Sequence, residues 1–137
     1  MTKRVLFVCV HNSGRSQMAE AFFNQLAKDK SVAISAGTQP AAQVNPTVAA
    51  AMLEVGIEIG SQKPKSLTLE MLESADQVIT MGCGVEEVCP ASLVPAEDWE
   101  LADPEGKSLE EVRQIRDQIK ARVKALVKNL SSWKSFT

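Results

Sequence analysis

The most constraining feature of the sequence is one early segment, residues 5–23, which reads VLFVCVHNSGRSQMAEAFF. A run of strand-forming residues ends at Cys9, and a short polar stretch separates it from an amphipathic pattern that begins at Ser16. The apolar residues that share one face of this pattern are Met18, Ala19, Phe22, Phe23 and Leu26. Because their spacing is that of a helix, the segment predicts a buried strand, a tight loop and a helix in direct succession.

The same alternation continues along the chain. Further strands are predicted at 31–36, 77–81 and around 99–101, and helices at 45–55, 68–74 and from a Ser108–Glu111 capping box to near residue 130. Strands that alternate with helices predict an α/β fold, a four-stranded parallel doubly wound sheet with helices on both faces. Ligands of such sheets bind beyond the carboxyl ends of the strands, where we expect Cys9, Cys83 and Asp103 to lie.

Length and charge narrow the function classes. A chain of 137 residues suits one core, and no repeat or linker marks a boundary, so we expect a single catalytic domain over residues 1–137. The net charge of -2 gives no electrostatic footprint for nucleic acid or an anionic membrane, and we expect neither as a partner. We expect a monomer.

The first apolar stretch and the cysteines indicate the compartment. The apolar stretch near the start is too short for a secretory signal or a membrane span, which favours a cytoplasmic protein. Three cysteines in such a chain argue for thiols that stay reduced until they react, rather than for a structural disulfide framework.

The loop after Cys9 has the composition of an oxyanion cradle. Its backbone N–H groups, at the start of a helix, can converge on an anion, and the guanidinium of Arg15 fits two oxygens of a tetrahedral oxyanion. Gly14 is expected to supply a conformation that a side chain penalises, and Asn12 to adopt a left-handed conformation or brace the loop. The predicted oxyanion-binding residues are Val10, His11, Asn12, Ser13, Gly14 and Arg15.

The same cradle makes Cys9 a candidate nucleophile. Positive potential from the loop and the helix favours the thiolate form, and the Ser16 hydroxyl is placed to donate a hydrogen bond to it. The alternative is structural: Cys9 is a small buried residue, Arg15 lies on the surface and Ser16 is a simple helix cap.

Displacement at an oxyanion also requires a proton donor for the departing oxygen. Asp103 is the best candidate, because Pro104 disfavours helix at Asp103 and fixes the direction of its side chain. Asp98 is the second candidate. The alternative is that Asp103 and Pro104 only form a turn.

The segment from Cys9 to Ser16, together with Asp103-Pro104, resembles the low-molecular-weight tyrosine phosphatase fold. The further thiols, Cys83 and Cys89, resemble those of its thioredoxin-coupled arsenate reductase branch. The resemblance extends through the Ser35-Ala36-Gly37-Thr38 strand end, Asp98-Trp99 and the last helix. It implies a covalent Cys9–arsenate adduct, a disulfide between Cys9 and Cys83, and then one between Cys83 and Cys89 that a thiol donor reduces.

The resemblance implies arsenate as substrate, with phosphate or sulfate as mimics, and thioredoxin or another thiol donor as reductant, for arsenic detoxification without a cofactor. Phosphatases of this fold carry aromatic residues after the Asp-Pro pair, whereas this chain has Glu105 and Gly106 and contains no tyrosine. Five residues separate Cys83 from Cys89, one fewer than in the family's pattern, which leaves the identity of the reductant open.

Other interpretations remain open at this point. The shared loop and acid also fit a tyrosine phosphatase that forms a phosphocysteine, and Cys83 and Cys89 can be idle structural thiols. Cys9, His11, Cys83 and Cys89 form a conceivable zinc set, although the main interpretation includes no metal. A redox or oxyanion sensor without turnover is a third function.

Potassium is the last expectation. Some relatives bind this ion through residues that match Asn12, Glu20 and Ser35 and through an aspartate of a later loop. This chain has lysines around the later position, so we expect no potassium requirement.

Overall fold

The computed structural model describes residues 3–28, 31–81 and 97–129. In chain order the elements are β1 (Lys3–Cys9), α1 (Arg15–Ala27), β2 (Ser31–Gly37), α2 (Pro46–Leu53), α3 (Leu69–Ser74), β3 (Gln77–Thr80), β4 (Glu97–Asp98) and α4 (Leu109–Lys128). Asn45, Thr68 and Ser108 cap the helices that follow them through side-chain hydrogen bonds. The capping box at Ser108 and Glu111 is confirmed.

The four strands form one parallel sheet in the order β2-β1-β3-β4. Strand β1 is therefore internal, with Cys9 opposite Gly37 of β2 and Val8 opposite Thr80 of β3. The prediction of a four-stranded parallel α/β sheet is confirmed. The carboxyl end of β1, which carries Cys9, opens at the edge of the sheet where ligands bind in such folds.

Helices cover both faces of the sheet, as predicted. On one face Val5, Phe7 and Cys9 belong to a large buried cluster that includes residues of α1, α2 and α4. On the other face Leu6 and Val8 pack in a smaller cluster with α3. Alternate residues of β1 therefore point to opposite layers, and Cys9 points to the layer that contains α1.

Helices α2 and α4 are joined by ion pairs at Glu54, the residue that follows α2. Its carboxylate accepts hydrogen bonds from Arg113 at 2.6 Å and from Arg116 at 3.0 Å. Bonding to Arg113, supported by Arg116, lowers the pKa of Glu54 to about 2. Arg116 also donates to the carbonyl oxygen of Ala51 at 2.8 Å. These contacts fasten α2, whose amino end borders the pocket described below, to the long helix α4.

The position predicted for the fourth strand was wrong. A strand was expected around residues 99–101, whereas β4 consists of Glu97 and Asp98. Trp99 and Leu101 are buried loop residues, and the Trp99 ring lies 5.7 Å from that of Phe7. A two-residue strand with exposed side chains carries no apolar pattern, so the neighbouring apolar residues gave the misleading signal.

Within the described residues, no helix has both the length and the apolar character that crossing a membrane requires.

Candidate active site

Cys9 lies at the carboxyl end of β1 with its side chain almost fully buried. The hydroxyl oxygen of Ser16 is 2.9 Å from the Cys9 sulfur, and the backbone N–H of Asn12 donates to that sulfur at 3.3 Å. The sulfur therefore sits between a strand end and the first turn of α1, as the sequence predicted. Two groups able to donate hydrogen bonds face it.

Asn12 controls the direction of the hydrogen bond between Ser16 and Cys9. The Asn12 side-chain amide nitrogen donates to the Ser16 hydroxyl oxygen at 2.7 Å. Since an amide NH₂ can only donate, the hydroxyl accepts from Asn12 and has its own proton free for the Cys9 sulfur. Asn12 has φ 51°, so both roles predicted for it, the left-handed conformation and the bracing of the loop, are confirmed.

The segment after β2 donates hydrogen bonds to carbonyl groups of Cys9 and of residues 10–14, the nucleophile loop. Four backbone N–H groups of residues 38–45 donate to four carbonyl oxygens of residues 9–13 at 2.7 to 3.3 Å. The pairs are Thr38 with Cys9, Gln39 with Val10, Ala41 with His11 and Asn45 with Ser13. These bonds direct the loop's carbonyl groups toward residues 38–45, which leaves its N–H groups, apart from that of Asn12, for an anion.

Gly37 permits this close approach. A Cβ atom at Gly37 would lie 2.6 Å from the carbonyl oxygen of Val10 and 2.9 Å from the backbone nitrogen of Asn12. Both neighbours are backbone atoms that cannot rotate aside. A larger residue would therefore separate β2 from the nucleophile loop.

Arg15 and Asp103 meet at the mouth of the site. The Arg15 guanidinium is buried and donates to the carbonyl oxygen of Leu101 at 3.0 Å. Its other terminal nitrogen lies 3.9 Å from a carboxylate oxygen of Asp103. The Asp103 side chain is 48% exposed and accepts a hydrogen bond from the Glu105 backbone at 3.0 Å. Asp103 thus faces both solvent and the Arg15 guanidinium, a position compatible with the predicted role of proton donor.

Asp98, the second candidate acid, has a structural role instead. Its carboxylate accepts a hydrogen bond from the Thr80 hydroxyl at 2.5 Å, at the edge formed by β3 and β4. It does not line the pocket that contains Cys9.

The lack of a side chain at Gly14 leaves space for Pro104, the neighbour of Asp103. Gly14 has φ −145°, outside the left-handed region, and a Cβ there would lie 2.7 Å from Cγ of Pro104. The structure therefore gives a reason for glycine different from the conformational one expected. The absent side chain lets the Pro104 ring pack on the nucleophile loop, which holds the neighbouring Asp103 at the pocket.

One small pocket combines these groups. Its lining residues are Cys9, His11, Ser13, Gly14, Arg15, Asn45, Asp103, Pro104 and Glu105. At the outer edge, His11 Nδ1 lies 3.9 Å from a carboxylate oxygen of Glu105. The imidazole of His11 and the carboxylates of Asp103 and Glu105 each place one potential ligand atom within 4.8 Å of the others, a grouping different from the zinc set weighed above.

The structure brings together the described residues of the predicted catalytic set, namely Cys9, Arg15, Ser16 and Asp103. Of the predicted oxyanion-binding residues, Val10 and Asn12 do not line the pocket, and Asn12 lies beneath it, fully buried. Cys83 and Cys89 fall outside the described residues.

Sequence reasoning missed three contributors to the site. Gln17 and the backbone N–H of Lys65 donate to the Asn12 side-chain oxygen at 3.1 and 2.8 Å, and Asn45 lines the pocket. Asn45 also caps α2. The sequence held one signal for the Gln17 contact. Gln17 directly precedes the apolar residue Met18, and an amide that is buried there needs a hydrogen-bond partner.

The Lys65 side chain also contacts Glu20, which does not line the pocket. Its ammonium nitrogen lies 3.6 Å from a carboxylate oxygen of Glu20, and the same oxygen accepts a hydrogen bond from Ser35 at 2.6 Å. Lys65 is one of the two lysines noted in the sequence around the later-loop position.

Comparison with known proteins gives a consistent result. Residues 4–135 match the family model described as low molecular weight phosphotyrosine protein phosphatase. A glutaredoxin arsenate reductase of Synechocystis sp. is 42% identical over 133 residues, which cover 94% of this chain and 99% of that protein. An arsenate reductase of Bacillus cereus is 40% identical over 124 residues, covering 89% of this chain and 92% of that protein.

A solved structure supports the same grouping. The thioredoxin-dependent arsenate reductase of Corynebacterium glutamicum is 38% identical, with a TM-score of 0.80. The match covers 95% of this chain and 62% of that one, so the chain spans less than two thirds of that protein's length.

Proposed function

The chain belongs to the low molecular weight phosphotyrosine protein phosphatase family, and on that premise we propose that it is an arsenate reductase with Cys9 as nucleophile. The observation that carries the proposal is the convergence of Cys9, Arg15 and Asp103 on one pocket. Relatives at about 40% identity that are named arsenate reductases support the choice of substrate.

In the proposed first step, the Cys9 thiolate attacks arsenic. A sulfur–arsenic bond forms, one arsenic–oxygen bond breaks, and Asp103 gives its proton to the departing oxygen, which leaves as water. The Arg15 guanidinium and the loop N–H groups other than that of Asn12 hold the remaining oxygens, whose negative charge they complement. Ser16 stabilises the thiolate before attack, since its proton is free for the sulfur.

In the second step, Cys83 attacks the sulfur of Cys9. The electron pair of the sulfur–arsenic bond passes to arsenic, arsenite leaves, and a disulfide joins the two cysteines. Cys89 then attacks Cys83, which releases the Cys9 thiolate and forms a Cys83–Cys89 disulfide. A dithiol donor reduces that disulfide, so that one arsenate consumes two thiols.

The lining of the pocket favours a small inorganic oxyanion over an aryl phosphate. None of the described lining residues is a phenylalanine, tyrosine or tryptophan, and Trp99, the one tryptophan in the described residues, lies in the core against Phe7. Glu105 and Gly106 occupy the positions directly after Pro104. An aryl ring would gain little contact area here, whereas arsenate requires none.

The reductant is proposed only as a thiol donor. Relatives are named for glutaredoxin in one case and thioredoxin in another, and the spacing of Cys83 and Cys89 favours neither. Assays of arsenite release with each donor in turn will identify it. We propose that the protein acts as a monomer, as a single catalytic domain and in the cytoplasm, without a cofactor.

Cysteine variants test the proposed function. Donor-dependent arsenite release is expected to vanish in Cys9→Ser, Cys83→Ser and Cys89→Ser alike, because each thiol performs a separate step. Removal of the Cys9 nucleophile is expected to cost at least about 10³-fold in turnover. A Cys83→Ser variant that still turns over arsenate with the donor would contradict the proposed relay.

A phosphatase is the second candidate, because the same pocket and acid serve phosphate ester hydrolysis and the family takes its description from that activity. In that case a phosphocysteine forms at Cys9 and water hydrolyses it. Hydrolysis of aryl phosphate would then survive the loss of both Cys83 and Cys89, whereas arsenate reduction would not.

We also propose that the enzyme needs no potassium. The ammonium of Lys65, 3.6 Å from Glu20, supplies positive charge beside the residues that matched the potassium ligands of relatives. Replacement of potassium by sodium or choline at constant ionic strength should leave kcat/KM unchanged. A loss of activity that potassium alone restores would contradict this.

A further inference from the structure

Gln17 is a buried polar residue for which the mechanism above has no role. It lies in the first turn of α1, next to the core residue Met18, and its side chain is 1% exposed. Burial of an amide is costly unless its groups form hydrogen bonds. The side-chain nitrogen of Gln17 donates to the side-chain oxygen of Asn12 at 3.1 Å.

The Asn12 oxygen receives a second donor, the Lys65 backbone N–H, at 2.8 Å. Two donors on one side fix the orientation of the Asn12 amide, because a flipped amide would direct its own N–H groups against them. The Asn12 nitrogen must then face Ser16. The hydroxyl of Ser16 therefore accepts from Asn12 and donates to Cys9.

We propose that Gln17 is a positioning residue that favours the thiolate of Cys9 by fixing the orientation of the Asn12 amide. Gln17 does not touch the sulfur and acts through Asn12 and Ser16. Without it, the Lys65 N–H alone orients the amide. In a flipped arrangement, Ser16 would donate to the Asn12 oxygen, and the thiolate would lose one donor.

The inference uses the nucleophile of the proposed function, but its test does not depend on arsenate. In a Cys83→Ser/Cys89→Ser background, Cys9 is the one remaining thiol of the chain's three. The rate of Cys9 alkylation by iodoacetamide then reports the thiolate at each pH. The test variant is Gln17→Met, an unbranched replacement of similar shape without a donor. If it does not fold, Gln17→Leu serves the same purpose.

At pH 6 we expect Gln17→Met to slow alkylation by about threefold to tenfold, the effect of one hydrogen bond. At pH 9, where more of the thiol is ionised in either protein, the rate should stay equal or rise slightly, because a less stabilised thiolate is more nucleophilic. Met18→Leu, a volume-conserving change at the adjacent buried position, is the control and should alter neither rate.

A double-variant comparison tests the route through Asn12. Asn12→Gly removes the amide and tolerates the left-handed backbone. In that background, Gln17→Met should have no further effect at pH 6. Equal slowing at both pH values, no slowing at pH 6, or an undiminished effect in the Asn12→Gly background would each overturn the inference. None of these outcomes bears on arsenate reduction itself, which the cysteine variants test separately.

Discussion

The floor and the rim of the pocket differ in burial and in hydrogen bonding. The floor consists of Cys9, Asn12, Ser16 and Gln17, which are at most 3% exposed. The rim consists of His11, Asp103 and Glu105, whose side chains are 39%, 48% and 70% exposed. Hydrogen bonds of 2.7 to 3.3 Å link every floor residue to another. The closest approaches among the ionisable side chains of the rim and Arg15 are 3.9 Å, between His11 and Glu105 and between Arg15 and Asp103.

This difference separates two tasks. The floor is a buried network in which the loss of one partner alters the others, so under the proposed function it determines which hydrogen bonds Cys9 receives. The rim is solvated and its charges are screened. A rim side chain therefore contributes to the reaction chiefly when it contacts the bound anion directly. The comparison predicts that the floor is sensitive at every position, whereas the rim is sensitive only at Asp103.

The largest effect expected at the rim is that of Asp103→Asn. Loss of the proton donor should lower kcat for arsenate by about 10²- to 10⁴-fold. Binding of phosphate, measured by competition, should change little, because Arg15 and the loop N–H groups remain. Unchanged turnover would show that Asp103 is only a turn residue. No rim residue would then differ from the others in its effect on the reaction.

Gly14→Ala should have the next largest effect, because it couples the floor to the rim. The new methyl group displaces Pro104 and with it Asp103. We expect a loss of about tenfold to a hundredfold in kcat, the usual consequence of a misplaced catalytic group. In an Asp103→Asn background the same change should cost much less. An equal cost in both backgrounds would mean that Gly14 acts independently of the acid.

Glu105→Gln should have little effect. Glu105 is exposed and its carboxylate lies 3.9 Å from His11 Nδ1, so we expect less than about a threefold change in kcat/KM. Glu70→Gln, at an exposed position on α3 on the other face of the sheet, is the matched control. A tenfold loss at Glu105 alone would place it among the catalytic groups.

The smallest effect on activity is expected outside the pocket. Glu54→Gln should lower Tm at pH 7 by a few degrees while leaving kcat unchanged. The pKa of Glu54 is lowered in the fold, so its contribution is present above the unfolded-state value and is lost as pH falls toward 2. The Tm difference between the two proteins should therefore shrink on acidification. A constant difference from pH 7 to pH 3 would contradict this.

Most of the floor was predictable from the sequence, because residues 9–17 form one strand, one loop and one helical turn. The spacing of Cys9 and Ser16 placed the hydroxyl correctly, and the residue type of Asn12 indicated its left-handed backbone. The Lys65 contact with Asn12 was not predictable. It joins distant parts of the chain through a backbone group, which no residue type specifies.

The rim was predicted in part. The choice of Asp103 over Asp98 is supported by the pocket, which Asp103 lines and Asp98 does not. The packing of Pro104 on Gly14 was missed, because glycine was interpreted through its conformational freedom rather than the space it leaves. The fourth strand was misplaced because its pairing with β3, and not a local sequence pattern, defines it.

The measurement that tests the central claim most directly is mass spectrometry of the protein after one equivalent of arsenate, without reductant. Thiols are blocked with iodoacetamide at the end of the reaction, and arsenite is quantified in parallel. We predict one Cys83–Cys89 disulfide for each arsenite released, with Cys9 recovered as the alkylated thiol. Arsenite release with both Cys83 and Cys89 alkylated, or with Cys9 remaining in the final disulfide, would contradict the account.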